Sequence, residues 1–121
     1  MDVLHAAIRV DDVEAMKAFY TEGLGLERSR EFERNGVTNY FLAGESDTEI
    51  QFKYGEGVSA GPSPKEGFDH TAIAVDDIDD AVDRLVADYG GELKEEPTEF
   101  GDVRVAFVAD PDGYVVELIE E

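Results

Sequence analysis

An α+β fold made of two tandem strand–helix–strand–strand–strand halves is what this sequence predicts, and three observations predict it. A motif occurs twice: His5-Ala6-Ala7-Ile8-Arg9-Val10-Asp11-Asp12-Val13 returns as His70-Thr71-Ala72-Ile73-Ala74-Val75-Asp76-Asp77-Ile78. Each copy leads into apolar residues at helical spacing. Each half then runs through β-rich segments divided by turn signals and closes on a strand carrying a glutamate, Glu49 in the first half and Glu117 in the second.

Residues 3–10 are β-rich and predict the first strand. Asp11 is expected as a helix N-cap, with Glu14 three residues on to complete a capping box. Val13, Met16, Phe19 and Tyr20 then fall at helical spacing, and Gly23 and Gly25 stop the helix. Strands are expected over residues 26–34, 37–43 and 48–54. Asn35-Gly36 marks the hairpin between the first two, because a type I′ turn needs positive φ at both central residues. The second half repeats the order. Residues 68–75 predict a strand, and Asp76 is expected to cap a helix with the apolar stripe Ile78, Ala81, Val82, Leu85, Val86 and Tyr89. Gly90-Gly91 ends it. Strands follow over 92–96, 102–109 and 114–120, the last two joined by the turn Asp110-Pro111-Asp112-Gly113.

A chain of 121 residues buries one core. The expected organisation is therefore a single domain over 1–121: module one at about 1–55, a Gly/Ser/Pro-containing linker at about 56–67 and module two at about 68–121. Cysteine is absent, which excludes disulfides, thiolate metal sites and cysteine nucleophiles. No apolar run is long enough to span a bilayer. Met1-Asp2-Val3-Leu4-His5 has neither the basic nor the apolar region of a secretory signal, so a cytoplasmic setting is expected. Thirty acidic residues against ten basic ones give a net charge of -20. Such a surface repels nucleic acid and anionic membrane, and neither is expected as a partner. The composition resembles that of proteins from salt-loving archaea, where concentrated salt screens the self-repulsion.

His5 and His70 are the only histidines, and they hold the same place in the repeat. Strand alternation puts His5 on a face with Val3, Ala7 and Arg9, against Leu4, Ile8 and Val10. Glu49, Gln51 and Lys53 share one face of their strand, against Ile50, Phe52 and Tyr54. His70 alternates with Ile73 and Val75, and Glu117 with Val116 and Leu118. All four chemical side chains thus lie opposite their strand's helix-facing set. Two imidazoles and two carboxylates suit a divalent first-row metal. An octahedral ion would keep two positions for water or substrate and would act as a Lewis acid on substrate oxygens. Taken singly, a histidine near a strand start is more often structural, and Glu49 reads equally well as a solvated strand residue. Glu117 interrupts the apolar run Val-Val-Glu-Leu-Ile and calls for a partner. Arg9 and Lys53 read as substrate contacts, or as ordinary surface charges balancing the acids.

The stretches 4–10, 19–26, 49–55, 70–77 and 110–119, with Phe19-Tyr20…Leu24-Gly25-Leu26 and Asp110-Pro111-Asp112-Gly113…Glu117 as their signals, resemble the vicinal-oxygen-chelate superfamily and, within it, glyoxalase I (lactoylglutathione lyase). The resemblance covers essentially the whole chain. It implies paired βαβββ modules forming a cupped mixed sheet around a metal, the glyoxalase/bleomycin resistance/dioxygenase fold. It carries ligand roles to His5, Glu49, His70 and Glu117, and implies a homodimer whose sites are shared between chains. The ion it implies is nickel or zinc, with cobalt, manganese or iron as further candidates. The implied reaction converts the hemithioacetal of methylglyoxal and a small thiol into a 2-hydroxyacyl thioester by proton transfer through an enediolate. Glu117 serves as base, Glu49 serves the opposite face, and Arg9 contacts the thiol cosubstrate. Lys53 departs from the family, which often has asparagine there. The rivals within the superfamily are a coenzyme-A thioester epimerase, a thiol transferase, an extradiol dioxygenase and a non-catalytic binding module. In the epimerases Gln commonly stands at the place of Glu49; Gln51 is two residues away on the same face, and a ligand register shifted by one pleat would blur that distinction.

Overall fold

The structure, a computed structural model, describes residues 1–58 and 68–121. The first module comprises β1 (His5–Arg9), α1 (Val13–Ala18), a π-helical turn (Phe19–Gly23), β2 (Glu27–Arg34), β3 (Val37–Ala43) and β4 (Glu49–Gly55). The second comprises β5 (Thr71–Ala74), α2 (Ile78–Asp88), β6 (Glu92–Phe100), β7 (Val103–Ala109) and β8 (Val115–Glu120). Each module forms a four-stranded mixed sheet, ordered β1-β4-β3-β2 in one and β5-β8-β7-β6 in the other. β1 and β5 run parallel to β4 and β8, and the remaining pairs are antiparallel. This is the expected α+β fold of two βαβββ modules. Residues 59–67, most of the expected linker, lie outside the described residues. Among the described residues no helix is long and apolar enough to cross a membrane.

The helices cover one face of each sheet and pack on each other. Met16, Phe19 and Tyr20 meet Tyr40, Leu42 and Phe52 of the first sheet, while Ile78, Ala81, Val82 and Leu85 meet Ala106, Val108, Val116 and Leu118 of the second; all belong to one buried cluster. At the crossing, a Cβ on Gly23 would come within 2.6 Å of a Leu85 methyl, so the helical segments approach as closely as glycine allows. Arg84 donates from Nε and Nη2 to the Gly23 carbonyl at 3.2 and 2.9 Å. The opposite face of each sheet is left to other partners.

Local chemistry moves several boundaries. The N-caps are Asp12 and Asp77, one residue later than expected: their carboxylates accept from the amides of Ala15 and Asp80. Asp11 is occupied elsewhere, its amide donating to Asp112 at 2.8 Å. The first helix is not stopped at Gly23 as a regular helix; it widens into the π-turn that places Phe19 and Tyr20 in the core. β6 runs through Pro97 to Phe100, because β6 is an edge strand whose register already slips between Glu95 and Thr98, and a proline costs an edge little. Asn35 and Gly36 take φ 55° and 82°, the conformation their hairpin signal requires.

The Asp-Pro-Asp-Gly turn ties the modules together. Asp110 accepts from the Tyr20 hydroxyl at 2.8 Å and from the amides of Asp112 and Tyr114. Asp112 accepts from the amides of Asp11 and Asp12, and the Tyr114 hydroxyl donates to the Arg9 carbonyl at 2.9 Å. Burial pushes the Asp110 carboxyl up to about 6, against the pull of its three donors. The folded chain therefore holds a proton that the unfolded chain has released, and stability falls as pH rises from about 4 through about 6. Asp110→Asn is expected to remove that slope. Urea denaturation at intervals across the window measures it, and an unchanged slope contradicts the assignment.

Candidate active site on the two open sheet faces

On the first sheet, parallel pairing sets His5 across from Glu49, Ala7 across from Gln51 and Arg9 across from Lys53. The open face thus carries His5 and Glu49 at one end and Arg9 and Lys53 at the other. The His5 ring meets the edge of Phe41 at 5.4 Å. Glu49 is engaged from β2. Arg30 donates to it from Nε and Nη2 at 3.2 and 3.1 Å, and the Ser29 hydroxyl donates at 2.5 Å. Two consecutive strand residues reach one carboxylate because Ser29 is the extra residue of a β-bulge between Arg28 and Arg30. The Arg30 guanidinium also lies 3.8 Å over the Phe41 ring. Arg30, then Ser29, holds the Glu49 carboxyl below its ordinary range, with His5 adding to the effect.

On the second sheet, Ala72 lies across from Glu117. His70, just before β5, stands with Nε2 3.1 Å from Glu117 Oε1 and Nδ1 2.7 Å from Asp69. Asp69, followed by Glu117, raises His70 above the ordinary histidine range against a smaller opposing effect of burial. Its ring meets the edge of Phe107 at 5.6 Å. The sequence thus led to two imidazole–carboxylate pairs, and each pair is assembled on one sheet. The two pairs do not meet: among the described residues no three His, Asp or Glu side chains gather closely enough to hold one ion. The donor types fit a divalent metal, but one chain presents them as two half-sites on separate faces.

The first half-site opens into a cavity of about 660 Å³ lined by His5, Gln51, Arg9, Arg34, Lys53 and neighbours. Its charge is unlike the rest of the molecule. Arg28, Arg30, Arg84, Lys94 and Arg104 each pair with an acid, and Lys17 lies over the rings of Tyr40 and Tyr54. Arg9, Arg34 and Lys53 have no acid partner among the described residues, and all three line this cavity. In a chain with thirty acidic residues, Arg9, Arg30, Arg34 and Lys53 outnumber the one lining acid, Glu56, around this space, so its local charge favours an anion. The sequence reading missed Arg34, Arg30 and Ser29. For Arg30 and Arg34 the signal was present, since both share strand parity with Phe32; for Ser29 the bulge breaks parity, and no pattern reports it.

With this geometry in view, the comparisons with known proteins are specific. Residues 2–118 match the model of the Glyoxalase/Bleomycin resistance protein/Dioxygenase superfamily, and the chain belongs to that superfamily. It is 37% identical to the lactoylglutathione lyase of Haemophilus influenzae, over 99% of this chain and 93% of that one. It is 39% identical to a probable chloroplastic lactoylglutathione lyase of Arabidopsis thaliana, of which it spans only 35%. Among solved structures, glyoxalase I of Leishmania major, described as trypanothione-dependent, aligns with a TM-score of 0.84 at 32% identity, covering 100% of this chain and 87% of that one. Glyoxalase I of Zea mays gives the same score and identity, but this chain covers 44% of it. The chain thus spans nearly all of its bacterial relative and less than half of the plant proteins.

Proposed function

We propose that this chain is a metal-dependent lyase of the glyoxalase I type. It isomerises the hemithioacetal of a 2-oxoaldehyde, such as methylglyoxal, and a low-molecular-weight thiol to the thioester of a 2-hydroxy acid. The observation that carries this reading is the pair of half-sites: an imidazole and an oxygen donor at matched places on the open face of each module, in a chain so similar to lactoylglutathione lyases.

In this reading His5, His70 and Glu117 are metal donors, and the fourth comes from β4, which carries both Glu49 and Gln51 on the open face. One divalent ion, nickel or zinc and alternatively cobalt, manganese or iron, would occupy each completed site. When bound, it supplies a Lewis acid for the two substrate oxygens. Completion takes a second copy of the chain, because each chain presents its donors as two separated pairs. Module one of one copy then faces module two of the other. The exposed Phe32, Phe68, Leu93 and Phe100 supply apolar surface for such a homodimer.

The chain's own residues then divide the work. A carboxylate oxygen of Glu117 removes the proton from C1 of the hemithioacetal and delivers it to C2; the hydroxyl and carbonyl exchange places and no bond to sulfur breaks. Arg9, Lys53 and Arg34 bind the acidic groups of the thiol. Four residue steps along β1 lead from His5 to Arg9, about 13 Å of strand, so the thiol's charged end lies a short peptide's length from its reacting carbon. A second reading, epimerisation of a coenzyme-A thioester, is favoured by Gln51 on β4 and by the same cations, which suit phosphates. A cytoplasmic setting and an adaptation to high salt belong to this proposal as well.

The assay is purified protein in molar salt, with metal restored after chelation, methylglyoxal and a series of thiols, followed by thioester absorbance. Glu117→Gln is expected to lower turnover by about a hundredfold or more while circular dichroism stays unchanged. Undiminished turnover removes Glu117 from the base role, and epimerisation of a coenzyme-A thioester without any thioester formation transfers the chain to the second reading. Arg34→Gln is expected to raise KM for a thiol bearing carboxylates, such as glutathione, more than for uncharged mercaptoethanol. Equal effects on both contradict a role in recognising charge.

A further inference from the structure

The two modules share one register, and it matches Gln51, not Glu49, with Glu117. Ala7 and Ala72 hold the same place after the repeated histidine, and they pair with Gln51 and Glu117 respectively. Across the other edge, Gln51 faces Phe41 and Glu117 faces Phe107. Each of those phenylalanines packs perpendicular to a histidine ring, with centroids 5.4 and 5.6 Å apart. The next step agrees: the Val10 amide donates to the Lys53 carbonyl and the Val75 amide to that of Ile119, each acceptor two residues beyond the matched pair. In this register the counterpart of Glu49 is Val115, for Glu49 faces Ala43 and Val115 faces Ala109.

Hydrogen bonding points the same way. Glu49 already accepts three bonds from Arg30 and Ser29, two of them on Oε2, whose lone pairs are thereby filled. Gln51 is 7% exposed and Asn39 is 5% exposed. Gln51 donates from Nε2 to Asn39 Oδ1 at 2.7 Å. That bond fixes the amide by its nitrogen and leaves Oε1 as a neutral oxygen donor in the cavity that also contains His5.

We propose that the metal donor of module one is the amide oxygen of Gln51, and that Arg30 and Ser29 hold Glu49 out of the coordination. This rests on the metal-dependent reading above and refines it. The donor set becomes two imidazoles, one amide and one carboxylate. A divalent ion there keeps a net charge of +1 instead of 0, which makes it the stronger Lewis acid. Glu117 is then the sole carboxylate among the donors, so the proton leaves and returns by one group on one face of the substrate.

The test loads chelated protein with cobalt(II) and reads affinity by chelator competition and coordination by the visible spectrum, neither of which needs turnover. Glu49→Gln is expected to leave affinity and spectrum as in the parent. Gln51→Ala is expected to weaken binding by about tenfold or more. Gln51→Glu, close in shape, is expected to keep binding and shift the cobalt bands, which preserves the test should the alanine variant not fold. The assignment is overturned when Glu49→Gln weakens binding or shifts the bands while both Gln51 variants leave them unchanged. A parent chain that binds no cobalt, or whose binding is indifferent to His70→Ala, overturns the metal-dependent reading itself.

Discussion

One face of each sheet is consumed by a helix, and the two helical segments consume each other. That packing constraint governs the molecule. Leu85 against Gly23, and Phe19 and Tyr20 thrown inward by the π-turn, merge two small cores into one. A module of one short helix on four strands would bury too little alone. The result is that both remaining sheet faces point away from the shared core. Those faces carry the polar residues that core formation does not explain: His5, Gln51 and Lys53 on one, His70 and Glu117 on the other.

Charge divides the two faces. The first gathers Arg9, Arg34 and Lys53 without acid partners among the described residues, where most other cations are paired. The second lacks such a group of cations: Ala72 and Phe107 are the cross-strand neighbours of Glu117, and the acid Asp69 lies against His70. On the function proposed above, a completed site would turn its cationic wall toward the acidic groups of the thiol. The Asp-Pro-Asp-Gly turn contributes differently. It is a structural joint, with Asp110 and Asp112 holding Tyr20 and the start of α1 across the module boundary.

Much of this was legible in the sequence. Asn35-Gly36 set its hairpin through the positive φ values it tolerates, and the repeated His motif marked both parallel edge strands. Alternation correctly assigned the open faces. What alternation cannot supply is register. Glu49 and Gln51 have the same parity, so the sequence raises a one-pleat shift between them but cannot decide it; Ala7 with Gln51 and Ala72 with Glu117 supply the register. The bulge at Ser29 is hidden for the same reason, since an inserted residue breaks the period on which the reading depends. Pro97 misplaced the end of β6, because a proline's cost depends on whether its strand is an edge, which only topology decides.

The most direct measurement mixes two inactive chains. His5→Ala and His70→Ala each remove one imidazole from every site of a homodimer. When the two variants are unfolded together, refolded together and loaded with metal, half of the random dimers regain one intact site of two. Metal binding and thioester formation should then return to about a quarter of the parent level, where each variant alone has little. No recovery on mixing, or full metal binding by a monomeric parent chain, contradicts a site completed between two copies.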